Sequence, residues 1–209
     1  MIITDIIELD KKRDKVYIDD EFAFVLYKGE QHLYGIEVGM SLPSNTYTTI
    51  VDEVLLKRAK LRAMNLLTKK DYTEKQLRRK LSDGYYNNEQ IEKTIQYLKE
   101  YGYIDDIRYV KNYFSTYIQT KPRNKIVQKL LEKGISEEII DALTDAIYEE
   151  EAELTEVPNE MELGKGLLDK KKYDINGSMK EKQKAYGYLL RKGISTDVAI
   201  KLLKEYQKD

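Results

Sequence analysis

Two hydrophobic periods divide the chain. Up to about residue 48 apolar and polar positions alternate in short runs. In KVYIDDEFAFVLYKGEQHLYGIEVG, residues 15–39, β-branched and aromatic residues surround two turn signals, Asp19-Asp20 and Lys28-Gly29. This predicts two or three short antiparallel strands, closed by the loop residues SLPSN at 41–45. From Val51 onward the period becomes helical. Val51, Leu55, Ala59, Ala63 and Leu66 recur at three- and four-residue steps, predicting a helix from about Thr49 to Thr68 with lysines and arginines on its other face.

Thr73 and Gln76 have the spacing of a reciprocal cap, in which hydroxyl and amide each satisfy a backbone N–H of the other residue. A short helix, Glu74 to Ser82, follows, and Gly84 is expected to stop it. Asn87 or Asn88 can cap a third helix with Ile91, Ile95 and Leu98 on one face, ending at Gly102. This three-helix unit recurs. LLEKGISEEIIDAL (130–143) and LLRKGISTDVAIKLL (189–203) share Lys-Gly-Ile-Ser, and KLSDGYYNNEQIEKTI (80–95) is a looser copy whose second helix is displaced by one residue. The spacing of Gly84, Gly134 and Gly193 matches no common solenoid repeat, and the longer second interval holds a glutamate run with Pro158.

The expected fold is mainly α: three tandem three-helix, helix-turn-helix-like modules in an elongated arch, preceded by a small N-terminal antiparallel β region. Its divisions fall at residues 1–48, 49–102, 103–148 and 149–209. Units of about 45 residues bury too little apolar surface to stand alone, so neighbouring modules should pack end to end. In GYIDDIRYVKNY (102–113) Gly102 closes one module and Asp105 or Asp106 caps the first helix of the next, where a carboxylate meets the positive end of the helix dipole. Ile107, Val110, Phe114 and Tyr117 are its expected buried stripe. Arg108 either pairs with a neighbouring acid or faces a partner.

Charge adds a second layer. The formal net charge is −1, but it conceals opposed blocks. Residues 57–80 hold ten basic side chains against Asp71 and Glu74, residues 121–133 and 165–192 are also basic, residues 1–53 are acidic, and Glu149 to Glu162 hold seven glutamates and no base. Such blocks suit charged partners, or are simply solvated faces. The glutamate run reads as an acidic, partly helical spacer. With no cysteine, disulfides, thiolate metal sites and cysteine nucleophiles are excluded, and a reducing cytoplasm is the expected setting. The N-terminus lacks signal-peptide character and no apolar run is long enough to span a membrane. His32 is the single histidine and has no partner of the kind a general base needs. No phosphate-binding glycine loop is present. Asp19-Asp20 and Asp105-Asp106 each have a turn or cap role that competes with magnesium binding. Of the 18 tyrosines, Tyr97, Tyr113 and Tyr117 fall at helical core positions, whereas Tyr85, Tyr86 and Tyr103 sit at turns beside bases.

DYTEKQLRRKL (71–81), GYIDDIRYV (102–110), LLEKGIS (130–136) and LLRKGIS (189–195) together resemble the module signatures of the RecX family, bacterial regulatory proteins that modulate the RecA recombinase. The resemblance runs from about Leu55 to Lys204 and rests on the order and spacing of the signatures. Tyr109-Val110 stands where the family commonly has Phe-Ala, and Pro122 where a glycine is usual. The β-rich N-terminus lies outside it. The resemblance implies three helix-turn-helix-like modules and no enzymatic activity, and the residues themselves lead to the expectation of no cofactor and no metal. The resemblance also implies binding in the groove of the RecA–DNA filament, restraining assembly, ATPase, strand exchange and co-protease activity. Lys69, Lys70, Arg78, Arg79, Lys80, Arg123, Lys125, Lys129, Arg191 and Lys192 are the residues expected to meet acidic groove surface or DNA phosphate. Arg78 and Arg79 are the first choice among them. The expected partners are the RecA filament and, more weakly and salt-dependently, single- and double-stranded DNA, bound by a cytoplasmic monomer. The rival expectation is a free-standing helix-turn-helix regulator that docks one module in the major groove.

Overall fold

The computed structural model describes residues 1–154, 156–174 and 177–205. It divides into two compact units, Met1–Asp105 and Asp106–Asp209.

The first unit opens with a meander of three antiparallel strands, β1 (Ile3–Glu8), β2 (Arg13–Ile18) and β3 (Glu21–Tyr27), in that spatial order. Asp19 and Asp20 form the β2–β3 turn with φ of 50° and 69°, the left-handed pair that matches hairpin twist. The carboxylate of Asp19 also accepts the Ile2 N–H at 2.8 Å. The other expected turn is not one. Lys28-Gly29 begins a helix, α1 (Lys28–Tyr34), because Glu30 reaches back to accept the Tyr27 N–H at 2.8 Å. The third strand is instead β1, whose ITDIIE pattern is irregular because the pairing register shifts between Ile3 and Asp5.

The expected helix at 49–68 starts earlier. Pro43 precedes α2 (Ser44–Thr48), which runs through a π-helical stretch, Thr49–Leu55, into α3 (Leu56–Leu67). Ser44 and Asn45 are therefore helical rather than loop. Proline's fixed φ, −62° here, delivers the chain into a first turn whose free N–H groups need no intrahelical partner. The wide π turns bring Ile50 and Leu55, five residues apart, into one core with Ile3, Val16, Phe24 and Leu26 of the sheet, whereas Ala59 and Ala63 enter the next. One continuous helix thus serves two cores.

That second core is closed by α4 (Glu74–Ser82) and α5 (Asn88–Glu100), which contribute Leu77, Leu81, Ile91, Ile95 and Leu98. Both have the reciprocal cap, Thr73 with Gln76 and Asn87 with Gln90. Thr73 is fully buried and both of its cap bonds are 3.3 Å. Thr73→Ala is expected to cost about 1 kcal/mol in urea denaturation, with Thr73→Ser recovering most of it.

Gly84 does not stop α4 by a left-handed conformation. That role falls to Tyr85, at φ 66°. In the other two modules a left-handed glycine takes it, Gly134 at φ 91° and Gly193 at φ 94°. In all three copies this residue stands two positions before the residue that precedes the following helix, which explains the one-residue displacement of the looser copy. Gly84 is small for a different reason: a Cβ there would lie 3.0 Å from the Tyr86 ring and 3.2 Å from Arg62 Nε.

In the second unit α6 (Asp106–Tyr117), α7 (Arg123–Lys133) and α8 (Glu137–Leu154) pack around Val110, Phe114, Ile126, Leu130, Ile135, Ile140 and Ile147. Asp105 immediately precedes α6, and Val110, Phe114 and Ile118 form its buried stripe. Ile107 does not belong to that stripe. It is 50% exposed although it shares the face of Phe114 and Ile118, and it sits in the first turn of the helix. The α8 helix continues through the first glutamates of the acidic run, and Asn159 caps α9 (Glu160–Lys171) with Glu162 as its reciprocal partner. Glu160 accepts the Ser195 hydroxyl at 2.8 Å, fastening α9 to the turn between α10 (Met179–Arg191) and α11 (Thr196–Glu205). Their core is Leu168, Ala185, Leu189, Ile194, Ala199 and Leu202.

Candidate polyanion-binding surface

One grouping of basic side chains in the second unit is built by two sets of four-residue steps. Tyr109, Tyr113 and Tyr117 lie one turn apart along α6, their ring centroids 6.3 and 4.7 Å from one another. Lys121, Lys125, Lys129 and Lys133 take the same interval, beginning just before α7 and ending with it. The helices run antiparallel, so the two series meet in opposite order. Lys121 Nζ stands 3.2 Å from the Tyr117 ring centroid, and Lys133 Nζ stands 5.7 and 5.5 Å from those of Tyr109 and Tyr113. The ammonium groups of Lys121 and Lys133 thus lie against the tyrosine rings themselves.

The charges of this row repel one another. Glu132 pairs with Lys129, and Lys125 donates to the uncharged Gln128 at 2.8 Å. Lys121 is pushed below the usual lysine range, first by burial and then by repulsion from Lys129, Lys125 and Lys133. An incoming anion would relieve that repulsion. Of these residues the sequence singled out Lys125 and Lys129 as contacts, and took Tyr113 and Tyr117 as core. It missed Lys121, Lys133 and Tyr109, although the matched four-residue steps were there to be read. Arg123 stands apart, paired with Asp145 at 2.6 Å and lying over the Tyr148 ring at 5.4 Å.

In the first unit Arg78 is already engaged. Glu74 takes its Nε at 2.7 Å and Glu92 takes its two terminal nitrogens. The guanidinium is held above its usual range, by the Glu92 hydrogen bond first. Lys99 joins Glu74 at 2.5 Å, so the network binds α4 to α5. Arg79 and Lys80 are exposed and have no ion pair among the described residues. Lys69 is exposed beyond α3, and Lys70 lies over Tyr72 at 4.6 Å. In the last helices Arg191 is exposed, while Lys192 and Lys171 flank Tyr188 at 5.6 and 4.4 Å. His32 is exposed on α1.

The Glu74 carboxyl has a pH consequence. Burial pushes it up, but Lys99 and Arg78 outweigh this and hold it below the usual carboxylate range. A lowered folded pKa stabilises above the unfolded value and is lost as pH falls through the folded one. The stability difference between the wild type and Glu74→Gln should therefore be full at neutral pH and shrink below about pH 4, as read by urea midpoints across that range.

Residues 59–98 match the description "RecX, first three-helix domain", and residues 105–143 match "RecX, second three-helix domain". A regulatory protein RecX of Clostridium botulinum is 28% identical over 200 residues, covering 94% of this chain and 91% of that protein. These matches support placing the chain with the RecX family. Shorter alignments are closer: 34% identity to the Clostridium acetobutylicum regulatory protein RecX and 38% to that of Caldanaerobacter subterraneus. Here the chain spans about half the length of the curated relatives it matches, 53% and 57% respectively. A crystal structure of regulatory protein RecX aligns over 98% of both chains with a TM-score of 0.56 at 27% identity. The RecX structure from Lactobacillus salivarius shares the fold, with a TM-score of 0.51 at 23% identity over 73% of this chain and 97% of its own. The entire tyrosine–lysine row falls inside the family's second domain, and Lys69 through Lys80 inside its first. Arg191 and Lys192 lie outside both matches. Among the described residues no helix is long and apolar enough to cross a membrane.

Proposed function

We propose that this RecX-family chain is a regulator that binds in the groove of the RecA–DNA filament and restrains filament assembly and RecA's ATPase and strand exchange, without catalysis of its own. The observation that carries the reading is the row Lys121, Lys125, Lys129 and Lys133, whose positive charges crowd closely enough that Lys121 is held below the usual lysine range by burial and by repulsion from the other three. Such a row suits a repetitive acidic or phosphate-lined track. In this reading residues 49–102, 103–148 and 149–209 act as three modules behind a β-rich region at 1–48. Arg79, Lys80, Lys69, Lys70, Arg191 and Lys192 supply further contacts, with Arg123 and Arg78 secondary because of their internal partners. Each contact contributes modestly, so affinity arises from simultaneous engagement and falls steeply with salt.

The deciding experiment is RecA's DNA-dependent ATPase with increasing amounts of a cytoplasmic, monomeric preparation of the protein. Inhibition at substoichiometric or stoichiometric amounts is expected, alongside tighter binding to RecA-coated single strands than to bare single- or double-stranded DNA. No effect on the ATPase, or a preference for bare duplex with sequence selectivity, refutes the filament reading, and the latter outcome supports the major-groove alternative. Arg191→Gln with Lys192→Gln should weaken filament binding several-fold, which measures the third module's share.

A further inference from the structure

A pocket of about 390 Å³ opens in the first unit between the N-terminal sheet, α3 and the α4–α5 turn. Four cationic side chains converge on it: Arg13 from β2, Arg58 and Arg62 from α3, and Lys69 just beyond that helix. Arg58, Arg62 and Lys69 share one helical face, separated by four and seven residues. The aromatic part of the wall is Tyr27, Tyr85 and Tyr86. Arg58 lies 4.7 Å from the Tyr27 ring centroid and Lys15 lies 4.8 Å from that of Tyr85, which holds both rings in place.

Two of the four cations are answered from within the unit. Arg13 Nε donates to Asp10 at 2.8 Å. Arg58 pairs with Glu30 and donates to the Val25 carbonyl at 3.1 Å. The other two are not. Arg62 Nε is buried without a hydrogen-bond acceptor, a costly state for a guanidinium donor, and Lys69 has no ion pair among the described residues. The turn accommodates Arg62 by having no side chain at position 84, where a Cβ would come within 3.2 Å of that same Nε. Burial raises the Tyr86 phenol's pKa although Arg58 and Arg62 oppose the shift, so its hydroxyl stays protonated and able to donate.

We propose that this pocket is a nucleotide-binding site that holds a phosphate monoester between Arg62 and Lys69 and the attached base against the tyrosine rings. The two unanswered positive charges match the near-dianionic charge of a phosphate monoester. A guanidinium fork fits phosphate oxygens, and tyrosine rings offer faces for a base of any sequence. A peptide carboxylate would supply one charge and leave the rings unused. The volume lies at the lower end of the small-ligand range. The chemistry has two sources, a free nucleotide or the 5′-phosphorylated end of a strand. This site belongs to the first unit and does not depend on filament binding.

The test is calorimetric titration of the full-length protein with deoxyadenosine monophosphate, deoxyadenosine, inorganic phosphate, and an oligodeoxyadenylate with and without a 5′-phosphate. Saturable binding of the monophosphate, tighter than either the nucleoside or phosphate alone, is expected. Arg62→Gln should weaken it roughly tenfold or more and the exposed Lys69→Gln several-fold, with the Lys69→Gln melting curve unchanged. Stronger binding of the phosphorylated oligonucleotide than of the monophosphate supports the strand end as source; the reverse supports the free nucleotide. Absence of saturable monophosphate binding, equal affinity for the nucleoside, or unchanged affinity in both variants overturns the proposal.

Discussion

Replacing Lys121, Lys125, Lys129 and Lys133 together with glutamine is expected to weaken binding to RecA-coated DNA on the order of a hundredfold at moderate salt. It should also flatten the dependence of log affinity on log salt concentration by about one for each lysine that meets phosphate. The measurement is fluorescence anisotropy across a salt series. What makes the variant informative is its expected stability. Lys121 is held below its usual pKa by burial and by its three lysine neighbours, so removing like charges relieves repulsion, and glutamine keeps part of the stem over Tyr113 and Tyr117. Urea midpoints should be unchanged or slightly raised. Lost affinity without lost stability identifies a binding surface; lost stability with unchanged affinity means the lysines only cover the tyrosines.

Arg78 provides the contrast. Its guanidinium is shared between Glu74 and Glu92, so Arg78→Gln should reduce stability by about 1 kcal/mol, as partly exposed ion-pair networks do. Filament affinity should change less than in Arg79→Gln, whose exposed side chain has no such ties among the described residues. Choosing Arg78 from the sequence was reasonable on charge alone. Its partner Glu92 is fourteen residues away on the next helix, and only the packing of α4 on α5 brings them together.

The same distinction separates what the sequence disclosed about the fold from what it did not. Features governed by local chemistry were legible: the caps at Thr73 and Asn87, the Asp19-Asp20 hairpin, and the helical faces carrying Ala59, Ala63, Ile91, Ile95 and Leu98. Errors arose where one residue type serves more than one geometry. Lys28-Gly29 has turn composition, but Glu30 makes it a helix start. Ser44 and Asn45 are good loop residues and equally good first-turn residues behind a proline. Gly84 looks like a left-handed stop, but the left-handed residue is Tyr85, and the glycine is required by the approach of Arg62 and Tyr86. The tyrosine–lysine row was hidden by its length: three rings on one helix and four ammonium groups beside the next become a surface only once α6 and α7 are paired.

Phe114→Ala should cause the largest loss of stability, about 3–5 kcal/mol. Phe114 is fully buried and meets the Tyr148 ring edge-on, with centroids 5.9 Å apart at 79°, so truncation removes both apolar burial and the α6–α8 aromatic contact. The loss should be confined to the second unit, Asp106–Asp209, and appear as accelerated amide exchange there while the sheet and α3 to α5 stay protected. Ile107→Ala is the matched control on the same helix. At 50% exposure it should change stability by no more than about 0.5 kcal/mol. Because Tyr113 and Tyr117 pack against the core that Phe114 helps to form, its loss should also disorder the tyrosine series and cost filament affinity. Ile107→Ala should leave that series intact. Equal destabilisation by the two substitutions would mean that the first turn of α6 is packed as deeply as its middle, contrary to the exposure of Ile107.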